Sequence, residues 1–212
     1  MAATAIPSAA RDSFVLEGVS FDLYERLVEE LAEQRIYITF DGGRLELMSP
    51  SPEHEWWKIL IGRLIEVLAL ERAVSAEGLG STTFKRRDLA KGLEPDECYY
   101  LRGASELRRK READLTRDPP PDLVVEVDIT HRAIDRERIY AALGVAEVWR
   151  FDGRALTFLV LQSDGAYRPA ETSAGFPGLR SADVQRFLKV AEDKDQGAAA
   201  LAFRDWIRSG GA

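Results

Sequence analysis

At 212 residues, 45% of them hydrophobic, the chain can bury a substantial core and reads as one domain with at most a small appendage. Its formal net charge of -7 excludes a protein that coats nucleic acid through a broadly basic surface, because phosphate neutralisation supplies most non-specific affinity, so any such contact must be local. The single cysteine, Cys98, excludes an intramolecular disulfide and a cysteine-rich zinc site.

The opening residues MAATAIPSAARDS lack a basic stretch followed by an apolar one. No run along the chain nears the roughly 20 apolar residues that span a bilayer. A soluble, cytoplasmic protein with no membrane partner is the expectation, with residues 1–19 as a tail and lead-in strand.

SFDLYERLVEELAEQ (20–34) predicts a helix, with Ser20 as N-cap and Leu23, Leu27, Val28 and Leu31 at helical spacing. IYITFDGGRLELMSP (36–50) predicts a hairpin around Asp41-Gly42-Gly43, residues that supply the positive φ values of a tight turn. Over residues 53–70, Trp57, Leu60, Ile61, Leu64, Ile65 and Leu68 form one apolar face, so this helix should lie against a sheet.

GSTTFKRRDL and EPDECYYL read as short β segments separated by Lys91-Gly92, followed by a charged loop or short helix over 102–118. After Pro119, Pro120 and Pro121, the run LVVEVDI has the apolar, β-branched character of a central strand buried on both faces. IDRERIYAALGV predicts a helix stopped by Gly144, EVWRFD and ALTFLVLQ two strands joined at Asp152-Gly153, and SADVQRFLKVAED and ALAFRDWIRS closing helices. This order describes an α/β fold, helices flanking a mixed central sheet, with an N-terminal helix and β-hairpin extension. Residues 20–190 are read as the domain and 191–212 as a C-terminal linker and helix.

Strand periodicity puts Glu126 and Asp128 on one face of LVVEVDI. Carboxylates inside an apolar segment need a cation, an arginine or a lysine. If EPDECYYL pairs beside that strand, Asp96 comes within coordination reach of Glu126, and an oxygen-only cluster suits magnesium or manganese. The alternatives are a turn-shaping Asp96 and a structural ion pair at Glu126 or Asp128. Lys85, if TTFKRRDL is the neighbouring strand, can reach a scissile phosphate, or else belongs to a solvated basic face with Arg86 and Arg87.

His54, at the edge of the apolar helix face, is an auxiliary candidate if the helix start approaches the metal and otherwise a hydrogen-bonded histidine of that helix start, and Thr130 and His131 follow the Glu126 strand directly. Arg108, Arg109, Lys110 and Arg111 form the densest basic cluster, suited to a phosphate backbone or simply to a solvated loop. There is no phosphate-cradling glycine loop, no HExxH and no cysteine near a histidine.

The stretches LELMSPSPEHE, STTFKRRDLAKGLEPDECYYL, PPDLVVEVDIT, IYAALGVAEVWRFDG and FPGLRSADVQRFL, in this order, resemble the Uma-type family of putative restriction endonucleases, a bacterial group within the PD-(D/E)xK nuclease superfamily. The resemblance runs from about residue 24 to residue 188. It implies a restriction-endonuclease-like core and a magnesium-dependent endonuclease acting on nucleic acid, DNA in the first place. Asp96 would be the first metal-binding aspartate and Glu126 the acidic residue of the (D/E)xK half-motif. The lysine expected two residues after Glu126 is replaced by Asp128, and the lysine that many Uma-type sequences carry four residues before the helix tyrosine is replaced by Arg136.

With Lys85 able to take over the missing lysine's role from the preceding strand, the expected catalytic set is Asp96, Glu126, Asp128, Lys85 and Arg136, the first three as metal ligands, and the basic residues Arg86, Arg87, Arg108, Arg109 and Lys110 are the expected nucleic-acid contacts. A homodimer would suit duplex cleavage. The alternatives are a catalytically silent nucleic-acid binding module and an interaction protein using the 102–118 loop or the helix bearing Trp206.

Overall fold

A computed structural model describes residues 13–102, 113–129 and 132–211. Two sheets organise these residues. The first has five strands in the order β1-β3-β2-β6-β5, all antiparallel: β1 (Ser13–Leu16), β2 (Tyr37–Asp41), β3 (Arg44–Met48), β5 (Phe84–Arg86) and β6 (Lys91–Leu93). The second has six strands in the order β11-β10-β9-β8-β7-β4. Its centre is β8 (Leu123–Val127), antiparallel to β7 (Glu97–Tyr100) and parallel to β9 (Glu147–Phe151). The outer strands are β4 (Glu77–Gly78), β10 (Leu156–Leu161) and β11 (Tyr167–Ala170). A mixed central sheet flanked by helices is the restriction-endonuclease-like arrangement.

Every residue of β8 is buried, and the two faces alternate as strand geometry requires. Leu123, Val125 and Val127 join the cluster built on helix α2 (Pro52–Glu71), together with α4 (Ser181–Asp193) and α5 (Gln196–Arg208). Val124 faces the opposite way, toward Ile139, Tyr140 and Leu143 of helix α3 (Arg136–Leu143), and Glu126 shares that side. The same alternation on β7 turns Cys98 toward α3 and Tyr99 toward α2. One long apolar helix thus supports the sheet from behind, while a short polar-ended helix closes the face that carries the carboxylates.

Helix α1 (Phe21–Glu30) starts where Ser20 accepts from the Leu23 amide at 3.2 Å, but it ends at Leu31, short of residue 34. The expected hairpin extension is part of a larger element, since β1, β5 and β6 join it in one sheet. Lys91-Gly92 does not separate two strands but lies inside β6, and the reversal falls instead at a 3-10 turn over Arg87–Leu89 followed by Ala90 at φ 50°. Strand β11 has no counterpart in the sequence reading. Among the described residues no helix is long and apolar enough to cross a membrane.

Trp206, considered above as a partner contact, is half-buried and stacks on Phe203 with ring centroids 5.6 Å apart, so it packs α5 inward. The basic cluster Arg108, Arg109, Lys110 and Arg111, and also Thr130 and His131, lie outside the described residues.

Candidate active site

The pairing of β7 with β8 matches Glu97 to Val125, which carries Asp96, one residue before β7, to the flank of Glu126. Asp96 is fully buried and its Oδ2 accepts from the Val127 amide at 2.6 Å. Arg132 reaches both acids with one nitrogen: its Nη2 is 3.3 Å from each Asp96 oxygen and 3.4 Å from Glu126 Oε2. His54, in the first turn of α2 and buried, brings Nε2 to 3.2 Å from Asp96 Oδ2 without hydrogen-bond alignment, while its Nδ1 lies 3.4 Å from Glu55 Oε1.

Glu126 is clasped from α3. Arg136, on its first turn, donates from Nη2 to Glu126 Oε1 at 2.8 Å, and Tyr140, one turn on and on the same helix face, donates its hydroxyl to the same oxygen. Arg136 also donates to the Tyr140 hydroxyl at 3.2 Å, to Thr39 Oγ1 at 3.2 Å and to the Glu94 carbonyl. Asp135 caps α3 by accepting from the Arg138 amide, and Gly144 ends it at φ 84°. Those ends fix the helix so that residues 136 and 140 face the sheet.

The electrostatics separate the two acids. Burial alone would raise Asp96, but the charges of Arg132, His54 and Arg136 outweigh it and hold its carboxyl well below the ordinary carboxylate range. Glu126 moves the other way, raised by burial against the opposing pull of Arg136 and Arg132 and with Asp96 adding to the rise. Burial raises the Tyr140 hydroxyl. Tyr37, which accepts a hydrogen bond from Lys58 at 3.1 Å, is pushed up to about 12 by burial and by Asp96.

Glu126, Asp128, Arg132, Arg136 and Tyr140 line one cavity of about 270 Å³. Asp128 lies just past the end of β8, where its amide donates to the Phe151 carbonyl at 2.7 Å. Its Oδ1 is buried and has no hydrogen-bond partner among the described residues. Among the described residues no three His, Cys, Asp or Glu side chains form a ready cage for a metal ion. Two convergent carboxylates are nonetheless what magnesium commonly takes from a protein, the rest of its shell being water and phosphate oxygen. The donor set therefore fits a hard divalent ion, and the Arg132 nitrogen marks where a cation lies between the two acids.

Lys85 is not brought into this cluster. Its strand, β5, pairs with β6 in the five-stranded sheet and not with the Asp96 segment, and its Nζ is 2.9 Å from Glu25 Oε1 on α1. Arg86 is paired with Asp88 and the Leu115 carbonyl, and Arg87 with Asp22 and Glu25, so both direct their donors to the protein itself.

Four contributors went unread in the sequence: Arg132, Tyr140, Thr39 and Glu46. Glu46 is buried on β3 and accepts from the amides of Ala133 and Ile134 at 2.9 and 3.3 Å, fixing the backbone beside Arg132. Tyr140 had a legible signal, being four residues after Arg136 on one helix face. Glu46 had a weaker one, sharing the strand face of apolar Met48. Arg132 had none, since it falls in no periodic segment.

A family model, Uma2, described as a putative restriction endonuclease, matches residues 21–191 of the 212, a span that holds every residue of the cluster. Among curated proteins none matches the chain.

Proposed function

Because the chain belongs to the Uma2 family of putative restriction endonucleases, we propose that it is a metal-dependent endonuclease hydrolysing phosphodiester bonds in nucleic acid, DNA being the substrate to test first. The observation that carries this reading is the convergence of the buried Asp96 and Glu126 on a single cationic nitrogen, at 3.3 and 3.4 Å. Buried acids placed so close together need a cation between them.

Asp96 and Glu126 would hold magnesium or manganese, with the Asp128 carboxylate close by on the wall of the cavity that Glu126 also lines. The ion, when bound, would act as a Lewis acid on a phosphoryl oxygen and ease ionisation of a bound water. Val127 donates to Asp96, and Tyr140 to Glu126, which orients both carboxylates. Arg136 stands where the resemblance to Uma-type sequences implies a lysine. Its guanidinium, anchored by Thr39, the Glu94 carbonyl and Tyr140, stays charged and stabilises negative charge on the phosphoryl oxygens, but it has no lone pair with which to take a proton. Its part is electrostatic stabilisation in a preorganised setting. Lys85, tied to Glu25, has no part in this scheme.

A second reading, a silent nucleic-acid binding or interaction module, is favoured by a specific observation: all four oxygens of Asp96 and Glu126 already face protein donors. The two readings separate on cleavage of plasmid and single-stranded DNA by the purified protein in magnesium and in manganese, beside Glu126→Ala prepared identically. Metal-dependent cutting that disappears in the variant supports the endonuclease. Equal cutting by both proteins, or none by either alongside metal-independent binding, supports the silent module.

A further inference from the structure

Arg132 and Arg136 both have buried side chains, but they are held differently. Arg136 joins four partners on several elements, at Thr39, Glu94, Glu126 and Tyr140. Among the described residues Arg132 meets the two acids alone, through one nitrogen, at 3.3 to 3.4 Å. Those distances are long for charge-assisted bonds, which favour about 2.7–2.9 Å. Its side chain is 7% exposed and its Nε is buried without a hydrogen-bond partner among the described residues.

The backbone next to it is fixed, since the Ala133 and Ile134 amides are both bound by Glu46. Motion is therefore left to the side chain. Arg132 also lines the cavity of about 270 Å³ that Asp128 lines, and Asp128 Oδ1 is a buried acceptor with no hydrogen-bond partner among the described residues.

We infer that Arg132 is a displaceable internal counter-ion: it bridges Asp96 and Glu126 in the ion-free protein, gives up that place to magnesium or manganese, and transfers its guanidinium to Asp128. This rests on the metal site proposed above. A divalent ion and a guanidinium cannot both occupy the gap between two carboxylates, because like charges a few ångström apart repel strongly in a partly buried setting. A guanidinium driven out of the gap with no partner would be left desolvated and unpaired. Asp128 offers that partner in the same cavity, so the exchange keeps every buried charge matched. The ion-free protein keeps its acids neutralised, at the expense of a weaker grip on the metal.

The test is calorimetric titration of manganese into the wild-type protein, Arg132→Ala, Arg132→Gln, Asp128→Asn and the double variant Arg132→Ala/Asp128→Asn, with thermal unfolding recorded with and without manganese. Removing the competing charge should tighten manganese binding about tenfold, which is what a unit charge a few ångström from a divalent ion is worth even in a water-like dielectric. Arg132→Gln guards against misfolding of the alanine variant. It should melt lower than wild type without the ion and gain more from manganese. Asp128→Asn should weaken binding severalfold when Arg132 is present and leave it unchanged when Arg132 is absent.

Equal manganese affinity in wild type and both Arg132 variants overturns the inference while leaving the metal site standing. Weakening by Asp128→Asn in both backgrounds makes Asp128 a ligand and overturns the transfer. Manganese binding by none of the proteins overturns the metal reading itself.

Discussion

Replacing Arg136 with methionine, which fills similar space without charge, tests whether the clasp on Glu126 organises the site. The guanidinium is buried and supplies Glu126 Oε1 with a 2.8 Å bond, while also satisfying Thr39, the Glu94 carbonyl and Tyr140. Removing one member of a buried pair strands the other, at about 3–5 kcal/mol. For a chain of this size that lowers the melting temperature on the order of 10 °C. The loss should depend on pH. Glu126 already sits above its ordinary value of 4.5, and without Arg136 it rises further. A group whose folded pKa is raised contributes stability that is fully present below the unfolded value and lost as pH rises through the folded one. Arg136→Met should therefore be more damaging at about pH 8 than at about pH 5. In urea unfolding followed by circular dichroism, Glu126→Gln added to Arg136→Met should restore at least half of the loss, because the stranded charge is gone. A loss under about 1 kcal/mol, equal at both pH values, would refute the reasoning, because surface-like pairs behave that way.

Lys85→Ala removes an exposed pair with Glu25 and should cost less than about 1 kcal/mol while leaving manganese affinity unchanged; a large fall in affinity would return Lys85 to the site. Glu46→Ala leaves two amides, Ala133 and Ile134, without acceptors, at about 1–3 kcal/mol each, and faster hydrogen exchange at those two amides is the direct readout. Glu97 has its pKa raised to about 7 by burial, with Glu66, Asp96 and Glu55 adding to the rise against Lys58. Its contribution is complete below about 4.5 and lost as pH climbs through about 7, so Glu97→Gln should stabilise the protein at about pH 8 by roughly 1–2 kcal/mol after allowance for its partial exposure, and little at about pH 5. Unfolding curves for wild type and variant that stay parallel across that interval would count against it.

The central strand and its supporting helix were legible because their signals are local. LVVEVDI announces a strand buried on both faces, and the apolar stripe from Trp57 to Leu68 announces the helix behind it. Period-two alternation then put Glu126 on the side opposite Val125 and Val127. Lys85 was misplaced because its neighbour was chosen by sequence proximity. The reversal between β5 and β6 is made by a 3-10 turn and by Ala90 in the left-handed region at φ 50°, a residue with no turn signature, so Lys91-Gly92 took the role of separator instead. Strand choice between two sheets is a long-range matter that neither propensity nor periodicity encodes.

The reach of the five-stranded sheet into the site has the same origin. Thr39 on β2 receives Arg136, Glu46 on β3 fixes the backbone beside Arg132, and the Glu94 carbonyl, just after β6, takes another Arg136 donor. The Glu94 side chain in turn accepts from the Ile38 amide at 3.2 Å and the Thr83 hydroxyl at 2.7 Å, joining β2 and the approach to β5 to the segment that carries Asp96. Each of these groups is polar and sheltered, so each needs its partner as much as the partner needs it. Both arginines that neutralise the acid pair therefore depend on contacts outside the six-stranded sheet. That sheet and the residue leading into it supply Glu126 and Asp96, but the first sheet decides where the opposing charges stand, and with them how the acid pair is neutralised.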